Sequence, residues 1–488
     1  MLFSSTINGR AGGRLEVRPG CPVRDKLTLV DLKGKKVLVV GLGISGFAAA
    51  LFLRRRGAQV TVSDLRSREK LAKQIPALLE AGVNVEAGGH GHATFRRQDL
   101  VVLSPGVAAN TPEMDEARTF RIPIIGEIEL ASLFLRTPIL AITGSNGKTT
   151  TTTLTGEILK AGGLATMVGG NIGLPAIELV DLPENRSDAW TVLELSSFQL
   201  ESVDTFRPKI AVLLNLTPDH LDRHGSFENY ALAKERIFAR QTAEDFLVLN
   251  ADDARVQQAA ARAASQVYWF SRAKIVRQGA CVHQDTVVFR ASETASLEPI
   301  VPVAEIPLKG AHNVENVLAA VCAARLAGVP AAAIAETVRG FRAVEHRLEF
   351  VAKVRGVDYY NDSKATNVDS TMKALESFPG RIHLILGGKD KKSDYTTLRP
   401  LLKERVRQVY TIGAAAEKIE AHLTGAVPVV PAETLPAALR KAHDAAVAGD
   451  IVLLAPACSS FDQFENYEHR GRIFKELVEQ MKGLKGKP

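Results

Sequence analysis

Short runs of Val, Ile and Leu recur along this chain, each followed by a turn of Gly, Ser, Asn or Pro and then a longer stretch with apolar residues every three or four positions. Four to six apolar residues bounded by turn formers read as strands buried on both faces, and the longer stretches as amphipathic helices, so the pattern predicts an α/β fold with parallel sheets. Lys35–Asp64 carries it most clearly: KKVLVVG, then a helix through GFAAALFLRRRG, then AQVTVSD. DLVVLSPGV (Asp99–Val107), with Ser104, Pro105 and Gly106 closing a strand, and IPIIGEIEL extend this first sheet, and the segment ends near Gly126. PILAIT then leads through GSNGKTT (Gly144–Thr150) into the helical TTLTGEILKAG, followed by strands around Glu194 and before His220, the latter at a strand end. From about Val344 a third series begins, with Val357–Tyr360 running into NDSKATN, Ile382–Leu386 into GGKDKK and Ile451–Leu454 into APACSSFDQF.

The 488 residues suffice for about three domains, each with its own core. Net charge is +7, but residues 1–36 hold eight Lys/Arg against three Asp/Glu, which leaves +2 for the rest. The basic character therefore sits in an extension, and a nucleic-acid-binding face on the folded body is not expected. That extension has no apolar core of the length a secretory signal needs, and no run approaches a membrane span. Cys21, Cys281, Cys322 and Cys458 stand far apart, so neither a disulfide framework nor a zinc site is expected, and reduced cytoplasm fits best.

Candidate chemistry starts at Gly144–Thr150. A glycine-bearing turn between strand and helix aims backbone N–H groups at an anion, Lys148 neutralises phosphate oxygens and Thr149 can ligate Mg2+, which together read as an ATP site. The loop is shorter than the general phosphate-loop pattern, because Ile142 stands where a first glycine is usual. Gly41, Gly43 and Gly46 fit G-x-G-x-x-G, with Asp64 placed 18 residues after the last to hold a ribose hydroxyl, and taken alone this says NAD or FAD. Glu194 lies in an apolar strand, where a carboxylate is costly to bury unless it meets a metal or a cation. His220 gains interest from its neighbours Asp219 and Asp222. Lys234, in YALAKERIFAR, lies on the apolar stripe with Tyr230, Ala231, Ile237 and Phe238, while Arg236 and Arg240 take the polar face. Such a lysine either extends along apolar surface to water or stays desolvated with a lowered pKa and acts as a nucleophile that CO2 carbamylates. The loops after the third series point to one shared cleft beyond the carboxyl ends of their strands. There Lys391 and Lys392 are either a solvated run or an anion site, and Ser459 and Ser460 either helix caps or ligands.

Taken together, GLGISG, SPG, GSNGKTT, GGNIG, LELSSFQL, DHLDRH, HNVEN, EHRLE, NDSKATN, LGGKDKK and ACSSFDQF resemble the Mur ligase family from about Lys35 to Lys482, and NDSKATN and ACSSFDQF its D-glutamate-adding member in particular. Composition and charge mark residues 1–33 as a flexible extension, which the family pattern does not match; the resemblance implies a Rossmann-like domain for a UDP-sugar (34–126), a central P-loop-type ATPase domain with a parallel sheet (127–343) and a Rossmann-like amino-acid-binding domain (344–488). It replaces the dinucleotide with UDP-N-acetylmuramoyl-L-alanine, near Ser45, Asp64, Arg66 and Ser104, with Asn171 on the muramoyl group. ATP is implied at Gly144, Ser145, Asn146, Gly147, Lys148, Thr149 and Thr150, with Asn313 and Asn316 near adenine, Arg347 on the phosphates, and Asp362 and Lys364 reaching in from the third domain. Two Mg2+ ions are implied on Thr149, Glu194, His220 and a carbamate of Lys234, with Lys148 and Arg347 assisting the reaction. D-glutamate is implied at Thr366, Lys391, Ser460 and Tyr467, the last being Phe in most of the family. The implied protein is a cytoplasmic monomer that makes a peptidoglycan precursor and binds neither nucleic acid nor membrane.

Other readings remain. A sibling Mur ligase or a folylpolyglutamate synthase-like enzyme would share the phosphate loop and differ in amino-acid dependence. An NAD-dependent oxidoreductase would leave GSNGKTT, Glu194 and Lys234 without roles. A nucleotide-sensing module would bind ATP and release no phosphate.

Overall fold

The computed structural model describes residues 31–342 and 344–483. It divides into two compact units, one ending at Ile125 and the other beginning at Gly126. Of the expected extension, residues 1–30 lie outside the described residues, while Leu32 is buried.

The first unit carries β1 (Lys36–Val40), β2 (Gln59–Asp64), β3 (Asn84–Ala87), β4 (Leu100–Leu103) and β5 (Ile124–Gly126) in the order β3-β2-β1-β4-β5. β1 runs parallel to both β2 and β4. Every residue of β4, and every residue of β1 after Lys36, is buried, as expected of strands covered on both faces. Helix α1 (Ile44–Arg55) follows the glycine turn, and a Cβ on Gly46 would lie 1.9 Å from the Gly41 carbonyl oxygen, so the helix can start this close to the strand end only with glycine there. IPIIGEIEL does not extend the sheet as a whole. Only Ile124–Gly126 is strand, and Glu127–Phe134 is helix, with Glu127 and Glu129 in its first turn, where carboxylates favour the positive end of the dipole.

The second unit holds two sheets. β6 (Ile139–Thr143), β7 (Thr166–Gly170), β8 (Trp190–Glu194), β9 (Ile210–Leu213), β10 (Phe246–Asn250), β11 (Gln266–Ser271), β12 (Gly279–His283), β13 (Thr286–Arg290) and β14 (Glu298–Pro302) lie in the order β14-β13-β12-β11-β10-β9-β6-β8-β7. β6 is flanked by β8 and β9, both parallel to it, so the loops after all three strands open on one edge. Helix α2 (Lys148–Ala161) leaves the phosphate loop, α3 (Phe227–Glu235) carries Lys234, and α4 (Ala311–Leu326) packs its buried Val, Leu and Ala face into the same core as β6 and β9.

β15 (Glu349–Val354), β16 (Val357–Asn361), β17 (Ile382–Gly387), β18 (Val406–Ile412), β19 (Val429–Glu433) and β20 (Ile451–Leu454) form the other sheet, in the order β15-β16-β20-β17-β18-β19. The three strands that precede the polar loops, β16, β20 and β17, are therefore adjacent and parallel. Helix α5 (Tyr467–Gly483) follows the ACSSFDQF loop. No helix among the described residues is long and apolar enough to cross a membrane, and Cys281, Cys322 and Cys458 are free and buried.

Candidate active site

β6 delivers the chain into Gly144–Gly147, and Gly147 takes a left-handed φ of 83° with Asn316 Oδ1 2.1 Å from where a Cβ would sit, so no other residue fits. The first intrahelical bond of α2 runs from Thr151 N–H to Gly147 C=O at 3.0 Å, which turns the preceding amides outward. Asn215, in the loop after β9, clasps the turn: its Oδ1 accepts from Asn146 N at 2.8 Å, its Nδ2 donates to Asn146 O at 3.1 Å, and its carbonyl accepts from Ser145 N at 2.9 Å. Lys148 Nζ donates to the carbonyls of Gly144 and Ser145, each at 2.9 Å, and burial lowers its pKa. Thr149 and Thr150 are buried beside it.

Glu194 closes β8 with no exposed surface; its Oε1 accepts from Asn171 Nδ2 at 2.7 Å, while Oε2 is buried without a partner. An orphaned carboxylate oxygen in this position suits a cation. His220 does not sit at a strand end: β9 stops at Leu213, and His220 stands further along, in a left-handed conformation (φ 52°) before the short helix Leu221–His224. Burial pulls its imidazole down to about 4 with Asp219 opposing, so the ring is neutral at pH 7 and able to ligate. Lys234 is 1% exposed, and it does not extend to water. Its Nζ donates to Gly144 O at 2.8 Å and lies 4.8 Å from the Tyr230 ring centroid, beneath the phosphate loop. Burial first, and then Lys148, keep its pKa well below the ordinary lysine range. Its amine is therefore disposed to be neutral and nucleophilic.

A cavity of about 530 Å3 opens beside the loop, lined by Asn146, Gly147, Thr150, Asn313, Asn316, Arg347 and Asp362 among others. Arg347 Nη2 donates to Thr149 Oγ1 at 3.2 Å. Its neighbours His346 and Leu348 both have positive φ, 65° and 41°, and Lys475 on α5 pairs with Glu345 and Glu349 to hold the strap in place. Asp362 is pushed up to about 7 by burial, with Arg347 opposing, and Lys364 is pulled down to about 7, by burial first. Lys364 Nζ does not line this cavity but stands 3.7 Å over the Tyr467 ring. Sequence reasoning missed Lys309, His312 and Tyr360 on the cavity wall, where Lys309 Nζ donates to Tyr360 Oη at 2.7 Å. HNVEN contains His312, so that residue could have been found there.

The polar loops after β17 and β20 touch, Lys389 N donating to Ser459 O at 2.9 Å. Lys391 is not part of a solvated run, because its Nζ pairs with Asp219 Oδ1 at 3.2 Å and lies 3.5 Å from His220 Nε2. Asn367 Nδ2 donates to Asp219 Oδ2 at 3.1 Å, and Asn146 Nδ2 to Asp369 Oδ2 at 2.6 Å, so the loops of the two sheets meet through polar side chains. Burial pushes the Asp219 carboxyl up, but Lys391, His220 and Asn367 together hold it at about 2. Ser460 is buried, and Thr366, half-buried, bonds through its N–H to Lys364 O at 2.8 Å.

In the first unit, Ser104 backs the glycine turn, its Oγ 3.2 Å from a Cβ built on Gly43, and Ser45 lies half-buried on the turn itself. Asp64 is already engaged by its own chain: it accepts from Leu42 N at 2.7 Å and from Arg66 N, Nε and Nη2 at 2.8, 2.9 and 2.8 Å.

Three family models match the chain: the MurD-like N-terminal domain of Mur ligases over residues 35–126, the Mur ligase middle domain over 142–324, and the Mur ligase glutamate ligase domain over 346–458. The chain is 69% identical to the UDP-N-acetylmuramoylalanine–D-glutamate ligase of Acidobacterium capsulatum over 92% of its length and 97% of that protein's. It is 60% identical to the protein of the same name from Koribacter versatilis, over 93% and 99%. Its fold matches the crystal structure of UDP-N-acetylmuramate-alanine ligase MurC from Thermotoga maritima with a TM-score of 0.57 and 22% identity, covering 91% of this chain and 99% of that one.

Proposed function

The chain belongs to the Mur ligase family, and on that premise we propose that it is an ATP-dependent, ADP-forming ligase that adds D-glutamate to UDP-N-acetylmuramoyl-L-alanine in peptidoglycan precursor synthesis. The observation that carries this is the 69% identity to a ligase of that name across nearly the whole of both chains. A buried lysine beneath a phosphate loop that faces three converging polar loops is what such chemistry needs.

The alanyl carboxylate attacks the γ-phosphorus of ATP, ADP leaves with the bonding pair, and an acyl phosphate results. The amine of D-glutamate then attacks the acyl carbon, loses a proton, and expels phosphate from a tetrahedral intermediate. Both partners are anions, so the protein's main contribution is fixed positive charge and alignment. Lys148 and Arg347 hold the phosphate oxygens, the loop Gly144–Thr150 cradles the chain of phosphates with the amides that Asn215 leaves uncommitted, Asn313, Asn316 and Asp362 fix the rest of the nucleotide, and Lys364 would have to swing from the Tyr467 ring to reach it. Ser45, Asp64, Arg66, Ser104 and Asn171 hold the UDP-sugar; Thr366, Lys391, Ser460 and Tyr467 hold D-glutamate.

The orphaned Glu194 oxygen and the neutral His220 ring fit Mg2+, which supplies charge neutralisation when bound. Two ions would be held by Thr149, Glu194, His220 and a carbamate on Lys234. That carbamate arises when the lysine's neutral amine adds to CO2, forming an N–C bond and releasing one proton to solvent. The protein acts as a monomer in the cytoplasm.

The test is phosphate release from ATP with UDP-N-acetylmuramoyl-L-alanine and Mg2+, comparing D-glutamate, L-glutamate, L-alanine and meso-diaminopimelate. Release that requires D-glutamate is expected. Release with another amino acid would overturn the assignment of the third-domain loops, and no release with any would overturn the ligase reading.

A further inference from the structure

Arg470 is the bulkiest fully buried side chain among the described residues, at 0% exposed. It leaves the first turn of α5 and passes beneath the loops that follow β16, β20 and β17. Its Nε donates to Ser363 Oγ at 2.9 Å, and its Nη2 donates to Ser363 O at 2.8 Å and to Cys458 O at 3.2 Å. Ser363 Oγ in turn donates to Tyr467 O at 2.8 Å, which ties the start of the helix to the same point. The remaining nitrogen, Nη1, is buried without a hydrogen-bond partner and lies 3.2 Å from where a Cβ on Gly388 would sit. One guanidinium therefore touches the NDSKATN and ACSSFDQF loops and abuts the GGKDKK loop.

Among the described residues, no carboxylate compensates this charge at hydrogen-bond range. Asp462, which acts on it from further away, accepts from Ala414 N at 2.9 Å instead. Burial accordingly pulls the guanidinium down to about 10, with Cys458 and Asp462 opposing. A buried cation held by neutral acceptors alone is expensive, and such groups persist where a ligand completes them or where register must be fixed. The loops it joins are those assigned to the amino acid above, so the inference rests on that reading.

We propose that Arg470 is a positioning and specificity-determining residue for the acidic amino acid: it locks the three loops in register, and its uncompensated positive charge biases their shared pocket toward a dicarboxylate. Lysine keeps the charge but cannot span two acceptors with a planar fork, whereas methionine keeps the bulk without the charge.

In full-length protein, Arg470→Met should raise KM for D-glutamate by about tenfold or more, the loss expected for charge-assisted hydrogen bonds. KM for ATP should stay within about twofold. Arg470→Lys should recover part of the affinity for D-glutamate, which a purely structural pin would not allow. Equal shifts in both KM values, a fall in kcat alone, or no recovery by lysine would overturn the proposal. Should Arg470→Met not fold, by its melting curve, Arg470→Lys carries the test, and an unchanged KM for D-glutamate sinks it. Should neither fold, Ser363→Ala, which removes the acceptor of Nε and the bond to Tyr467 O but keeps the guanidinium and its two carbonyl acceptors, is judged by the same criterion. Wild-type protein that releases no phosphate with D-glutamate would instead refute the assignment beneath it.

Discussion

The glycine turn after β1 and the phosphate loop after β6 share one local plan, a buried strand, a turn that only glycine can make, and a helix aimed away from the sheet. They differ in what fastens the turn. In the first unit a carboxylate does it, with Asp64 accepting from Leu42 N inside the turn and from Arg66 beside it. In the second a neutral amide does it, with Asn215 clasping Asn146 from both sides. A turn fastened by an anion repels a second anion, whereas a turn fastened by a neutral amide adds no charge, and the N–H groups at the start of its helix, with Lys148, can attract one. The G-x-G-x-x-G pattern therefore states the backbone geometry, and the fastener sets how much charge meets an incoming anion.

The harshest way to break this contrast is Lys148→Ala, which removes the loop's own cation and should lower kcat for phosphate release by about a thousandfold. Lys234→Ala should lose most activity too, yet regain part of it with added short carboxylates that take the carbamate's place; full activity without them would sink the carbamate. Asn215→Asp gives the phosphate loop the first unit's kind of fastener and should raise KM for ATP at pH 7 by about a hundredfold, since a new anion near the phosphates opposes binding. An unchanged KM there would show that the fastener's charge does not matter. Asp64→Asn removes a residue assigned to the UDP-sugar and the carboxylate that anchors Arg66, and should raise KM for the UDP-sugar by about tenfold and leave ATP untouched. The smallest effect is on pH. Although burial pushes the Asp64 carboxyl up, hydrogen bonds from Arg66 and Leu42 hold it at about 2, below its usual 3.8. The stability it contributes is present above about pH 4 and is lost as pH falls toward 2. Acid melting of the wild type should show that loss, and Asp64→Asn should flatten it.

The strands, the glycine turns and the apolar stripe that carries Lys234 were legible because each depends on near neighbours: an apolar run, a φ only glycine tolerates, a helical spacing; whether the lysine on that stripe reaches water or stays buried was not, since it depends on what packs over it. GEIEL misled because two acids among apolar residues satisfy a strand's alternation as readily as a helix's first turn. His220 reads as a strand end only until the structure extends the loop beyond Leu213. What stayed hidden are the long-range fasteners. Asn215 meets Asn146 across 69 residues, Arg470 meets Ser363 across 107, and Lys391 meets Asp219 across 172. Nothing within a window of sequence distinguishes such a side chain from an ordinary polar residue.

The Lys391–Asp219 pair also has a consequence for how the substrate is admitted. With Lys391 assigned to D-glutamate, capture of the amino acid is an ion exchange, in which one carboxylate replaces another on the same ammonium and the tally of paired charges does not change. Ionic strength should then alter the apparent affinity for D-glutamate little, while ATP, which brings unmatched charge to Lys148 and Arg347, loses affinity as salt rises. Titrating potassium chloride against both KM values would show the exchange directly, as one flat line and one slope.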